Sequence, residues 1–170
     1  AIGYKNLLTI NKKGFDNNFF IGKRIYPVID LDVIGKHSEG LICLTACGNG
    51  IISQLLMNKE NEKAEEVLLK LKNIFKDNLA IEVQANNMKR NSNVYNDEID
   101  QQFLNRSLIN LGKKHSIKIV PTSNSHYLNK QDHDVHDALL AIGSHQTIYS
   151  NFRLKYNAPE FYLKSEEEVK

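Results

Sequence analysis

Cys47, the loop Ser123-Asn-Ser-His126, and the interleaved pairs Asp132/His136 and His133/Asp137 hold the residue types and spacings in this chain that could support chemistry. Thiolate and imidazole are the donors that borderline ions such as Zn²⁺ or Mn²⁺ prefer, so Cys47 and His126 at neighbouring strand ends make a partial metal site. Two donors do not close a coordination shell, and each has a plainer role to set beside the chemical one. A histidine in a polar loop is more often simply hydrogen-bonded. A cysteine ending an apolar run is usually a small buried hydrophobe, and no cation stands near Cys47 in sequence to activate its thiol. On a helix, residues four apart share a face, so Asp132 with His136 and His133 with Asp137 could each present a carboxylate and an imidazole together. No H-E-x-x-H pattern accompanies them, and Asp132 is placed to cap the helix or complement its dipole. Glu82 is the one charge in an apolar strand and must reach solvent or find a partner, which leaves general base and structural anchor both open.

Other chemistries lack their signatures. There is no G-x-x-x-x-G-K-[ST], no G-x-G-x-x-G after a strand and no G-x-S-x-G elbow. His145-Gln146 stands as an isolated pair. Two-metal phosphoryl transfer needs clustered carboxylates, and no compact Asp-x-Asp supplies them. Chemistry of that kind has no site within these residues.

The candidate groups depend on the elements that hold them. Tyr4, Leu7, Leu8 and Ile10 recur at helical spacing and predict an amphipathic helix over 2–15 with a buried face. Residues 22–27 read as a connector, and Asp30 as the N-cap of a short helix toward Gly35. The nearly continuous apolar run 40–47 predicts a strand covered on both faces, ended by Gly48-Asn-Gly50. Short and long helices follow at 51–57 and 60–75, then a strand at 79–84, a loop at 85–96, a helix from Asp97 to about His115 and a strand at 117–122. Lys130 to Ile142 form the next helix, residues 149–159 are irregular, and Ser165 with Glu168 is a capping box. Strands alternating with helices imply an α/β fold with a parallel sheet. In such folds, active groups lie on loops leaving the C-terminal strand ends, here Cys47–Gly50, Ala85–Asn87 and Ser123–His126.

The chain has 170 residues, 41% of them hydrophobic and 25% charged, the range of one soluble domain. Its 22 basic and 20 acidic residues give a net charge of +2 and are interleaved, so no nucleic-acid footprint follows from charge. No apolar run approaches the roughly 20 residues of a membrane span, and no signal segment opens the chain, which reads as cytoplasmic. Four extended residues would hold Cys43 and Cys47 about 13 Å apart, too far for a disulfide. The chain opens at Ala1 inside a helical pattern and stops at Lys170 where another helix starts, so both ends read as cut.

Five strings go further: Gly3-Tyr-Lys-Asn-Leu-Leu8, His37-Ser-Glu-Gly-Leu-Ile42, Thr122 to Tyr127, His136-Asp-Ala-Leu-Leu140 and Glu160-Phe-Tyr-Leu-Lys-Ser-Glu-Glu167. In this order and spacing they resemble the PHP (polymerase and histidinol phosphatase) domain of bacterial DNA polymerase III alpha subunits, over essentially the whole chain. The resemblance implies a partial, distorted (β/α) TIM-like barrel, with residues 1–159 its later part and 160–170 the start of the link into the following polymerase region. In that family a strand-end Cys, a second-loop His and an Asp-x-His pair complete a metal site begun by an earlier His-x-His motif. Cys47 and His126 match; the second-loop position is Asn86, and the Asp-x-His aspartate is Asn124. The implied metal residues are therefore Cys47, Asn124 and His126, with a neutral amide where an anionic ligand is expected, which weakens the site. The expectation is a degenerate, structural domain with no cofactor of its own and no catalytic residues. Zn or Mn belongs to an intact site of this type, and Mg to the polymerase. The implied partners are the rest of the alpha subunit, DNA and replisome subunits through it, and a proofreading exonuclease, with no membrane. An active metal-dependent PHP phosphoesterase or proofreading exonuclease is the alternative.

Overall fold

The computed structural model describes residues 1–22, 24–86, 101–156 and 158–169. Helix α1 (Ile2–Asp16) leads into strands β1 (Phe19–Ile21) and β2 (Arg24–Tyr26) and then helix α2 (Leu31–Lys36). Strand β3 (Cys43–Leu44), helices α3 (Ile51–Met57) and α4 (Asn61–Phe75), strand β4 (Leu79–Gln84), helix α5 (Gln101–Lys114) and strand β5 (Lys118–Thr122) follow. A 3₁₀ turn at Lys130–Asp132 opens α6 (His133–Gly143), and α7 is Glu166–Val169. The expected loop 87–96 and the helix start at Asp97, with Ile99, lie outside the described residues.

The sheet has the order β3-β4-β5 and is parallel throughout, Cys43 pairing Leu79 and Ala80 pairing Lys118. Its central strand is covered as its composition requires: Leu79, Ala80 and Ile81 are all buried. Leu68 of α4 and Leu104 of α5 are both 0% exposed, and with Ile52, Leu71, Phe75 and Leu108 they form one apolar core. Gly112 lets α5 come close to the sheet, since a Cβ there would sit 3.1 Å from Ile119 and 3.2 Å from Ile81. Asp30 caps α2 as its sequence position predicts, Oδ1 accepting from the Val33 amide at 2.7 Å. The Ser165–Glu168 box forms too, the Ser165 amide donating to Glu168 Oε2 at 2.9 Å.

Three expectations change. The strand expected over 40–47 is only two residues long. The Thr45 hydroxyl accepts the Glu82 amide at 3.0 Å, and Ala46 turns to φ 66°, so the chain leaves the ladder before Cys47. Cys47 therefore stands beyond the strand; the extended spacing argued for the two cysteines does not hold, and both are free thiols. The connector 22–27 contains β2, paired antiparallel with β1, with Gly22 at φ +60° and Phe19 stacked on Tyr26 at 5.4 Å. Helix α1 forms as predicted, but its apolar stripe is not buried: Tyr4, Leu7 and Leu8 are exposed and only Gly3 and Gly14 are covered. The α/β class and the parallel sheet stand, but the described strands close no barrel. No helix among the described residues is long and apolar enough to cross a membrane.

Candidate metal and histidine site

Strand β5 delivers the loop 123–129 to the C-terminal edge of the sheet. Asn124 there has φ 50°, a left-handed conformation that asparagine tolerates better than most residues. The turn brings the Asn124 carbonyl to 2.7 Å from His126 Nδ1. A carbonyl can only accept, so Nδ1 is the donor of this bond. Nε2 faces the Tyr156 hydroxyl at 3.3 Å. Residues 126–127 are held from the far end of the chain. The His126 amide donates to the Phe161 carbonyl at 2.6 Å, the Leu163 amide donates to the Tyr127 carbonyl at 3.0 Å, and Tyr127 bridges Tyr162.

Around His126 lie the rings of His136 at 5.5 Å, Tyr156 at 5.2 Å and Phe161 at 5.4 Å, and Tyr127 packs on His136 at 5.2 Å. Phe161 is wholly buried and forms the floor of this cluster. Burial first, then the neighbouring imidazoles of His126 and His133, push His136 below the usual histidine range, so it favours the neutral form. Burial also raises the Tyr156 phenol, with a smaller electrostatic contribution from Cys47. Cys47 and His126, expected at neighbouring strand ends, instead follow β3 and β5, which lie on opposite sides of β4, and of the two His126 packs against Tyr156.

The carboxylate–histidine pairs do not converge. Asp132 Oδ2 accepts the Asn129 amide at 2.9 Å and caps the turn before α6, as expected for a residue at a helix start. Asp137 is tied to Arg153 by two bonds of 2.6 Å, and the guanidinium holds its carboxyl below the usual range. His133 instead approaches the Tyr127 hydroxyl, 3.4 Å from Nδ1. Glu82 is an anchor within a polar chain: its Oε1 accepts from Thr122 at 2.7 Å and from Gln84 at 3.3 Å, while Gln84 Oε1 accepts from Asn86 at 3.1 Å. Asn86 is buried in that chain. Among the described residues, no group of three or more His, Cys, Asp or Glu side chains is placed to hold a metal ion.

Tyr156, Phe161 and Gln84 belong to this site and were not singled out from sequence. Gln84 had a readable signal, a polar residue closing a buried strand. Tyr156 and Phe161 had none, because they reach His126 only through a return of about thirty residues.

The PHP domain family profile matches residues 1–86. The chain is 34% identical over 174 residues to the DNA polymerase III subunit alpha of Aquifex aeolicus, covering 97% of this chain and 14% of that protein. It is 32% identical over 168 residues to the Borreliella burgdorferi subunit, covering 99% of this chain and 13% of that one. The Thermus aquaticus subunit is 29% identical over 168 residues, with the same shares. The chain thus spans about 13 to 14% of the length of these relatives. The profile spans half of the chain and takes in two of the five strings and Cys47: this chain belongs to the PHP domain family.

Proposed function

We propose that residues 1–159 are the later part of the PHP domain of a replicative DNA polymerase III alpha subunit, and that 160–170 start the link into the polymerase region. The observation that carries this is similarity along 97 to 99% of the chain to alpha subunits, rather than to one motif of them. Phe161 suits the boundary, because it anchors the link in the histidine cluster. The parent is a DNA-directed DNA polymerase, a nucleotidyltransferase of the cytoplasm using Mg²⁺ at an active site elsewhere. DNA, other replisome subunits and a proofreading exonuclease are its partners. Further strands along the free edges of β3 and β5 would complete the TIM-like barrel, and chain covering α1 would bury its apolar stripe.

The site is a degenerate one serving as scaffold. Cys47 and His126 are donor types that Zn²⁺ or Mn²⁺ prefers, and the Asn124 carbonyl fixes the His126 ring with Nε2 toward the Tyr156 hydroxyl. Asn124 offers only a neutral amide, and Asn86 is engaged with Gln84. The close approach of His126 and His136 favours the second reading, an active metal-dependent phosphoesterase or proofreading exonuclease. Metal analysis of the full-length subunit separates the two. The scaffold reading expects substoichiometric Zn and Mn, with nucleotide incorporation unchanged in His126→Ala. One equivalent of bound metal, lost together with phosphoesterase activity in that variant, would establish the enzyme instead.

A further inference from the structure

Asn49-Gly50, just beyond Cys47, is the only Asn-Gly pair in the sequence. Asparagine is chemically labile before glycine, because no side chain shields the backbone nitrogen that attacks its amide. Glycine at 50 has a steric reason. A Cβ there would sit 2.6 Å from the Thr45 carbonyl oxygen and 3.1 Å from both Ala46 Cβ and the Cys47 carbonyl oxygen, so a larger residue must displace the loop. Asn49 itself is exposed, at the third position of a turn that the Gly50 amide closes on the Cys47 carbonyl at 2.8 Å. Gln54 of α3 ties the same turn down: its Nε2 donates to the Gly48 carbonyl at 2.8 Å and its backbone amide to the Gly50 carbonyl at 2.9 Å. The nitrogen that would attack is therefore the one that closes the turn.

We propose that Asn49 is a deamidation site gated by this turn, and that its conversion releases the loop carrying Cys47. When the turn opens, the Gly50 nitrogen gives up its proton to hydroxide and bonds to Asn49 Cγ; the Cγ–Nδ2 bond breaks and ammonia leaves, giving a cyclic succinimide. Water then opens either carbonyl of the ring and leaves aspartate or isoaspartate at position 49. No oxidant, cofactor or enzyme enters this balance. Isoaspartate carries the main chain through its side-chain carbons and so lengthens it. A turn without room for a methyl group at Gly50 cannot absorb that extra carbon and keep the Gly50–Cys47 bond.

Ageing of the full-length protein at mildly alkaline pH, native and in guanidinium chloride, tests this by peptide mass spectrometry, with chromatography separating isoaspartate from aspartate. In denaturant, Asn49 should gain the mass of an amide exchanged for a carboxylate. In the native protein it should do so about tenfold more slowly, as a step that waits for local opening requires. Gln54→Ala should raise the native rate and leave the denatured rate unchanged, and Asn49→Gln should convert in neither. No conversion in denaturant would remove the site; equal native and denatured rates, or a native Gln54→Ala rate equal to wild type, would remove the turn as its gate. Native protein enriched in isoaspartate should then alkylate at Cys47 faster than the unaged protein, and equal alkylation rates would overturn the release of the loop.

Discussion

The layer from β3 to β5 and the flanks on either side of it use the same kind of amphipathic helix to opposite ends. In α4 and α5 the apolar stripe meets the sheet, and Leu68 and Leu104 lose all contact with water. In α1 and α6 the stripe is equally regular, yet Leu7, Leu8, Val135 and Leu139 are at least half exposed. A periodic pattern specifies that a face is to be buried; it does not specify by what. The core layer is held by apolar contact, whereas the flanks are held by a few polar and steric contacts: the Arg153–Asp137 pair, and α1 seated on Gly40 through Gly3.

The largest expected effect is in the layer. Leu104→Ala should cost about 4 kcal/mol in urea unfolding, through lost transfer energy plus a cavity among well-packed neighbours. A value below about 1 kcal/mol would mean that the layer is no better packed than the flanks. Next comes Asp137→Ala, expected to cost about 3 kcal/mol by leaving the buried Arg153 guanidinium without its counter-charge. The same pair sets a pH dependence. The Asp137 carboxyl is held below its unfolded value, chiefly by its hydrogen bonds to Arg153, so its contribution is present above about pH 4 and is lost as pH falls through the depressed folded value. Comparing acid unfolding of wild type and Asp137→Asn checks this: the variant should lack that part of the acid transition.

Gly3→Ala sharpens the comparison from the other flank. A Cβ at Gly3 would lie 2.0 Å from the Gly40 carbonyl oxygen, so α1 must shift, at about 2 kcal/mol. Hydrogen exchange should speed up in α1 and not in α4. The smallest effect is that of Leu7→Ala, under about 0.5 kcal/mol in the 170-residue chain, as for an exposed position away from special contacts. In the full-length protein the same change should cost more if α1 is covered there; equal costs in both would leave its stripe without an occupant.

Much of the layer was legible. The ends of α3 and β4 match the periodicity reading, and the caps at Asp30 and Ser165 follow from local side-chain chemistry. The hairpin was not, because Phe19–Ile21 has no polar alternation and its pairing with Arg24–Tyr26 depends on a turn at Gly22 rather than on strand pattern. The premature end of β3 was hidden as well: nothing in an apolar run shows that a threonine hydroxyl will take the place of a ladder acceptor. At the site, Cys47 and His126 could be named from strand ends alone, and Asp132 could be assigned to capping. That Glu82 anchors rather than reacts was decided by Thr122, on the neighbouring strand.

The sequence by itself determined the order of strands and helices from α2 to β5, the caps and the loops that could carry ligands. These are local properties, fixed by spacing and side-chain type. Only the tertiary structure decided that Phe161 and Tyr156 return to enclose His126, that Arg153 takes Asp137 away from His133, and which amphipathic faces find a partner. Each of those depends on contacts between residues far apart in the chain, where burial and hydrogen-bond geometry, not periodicity, set the outcome.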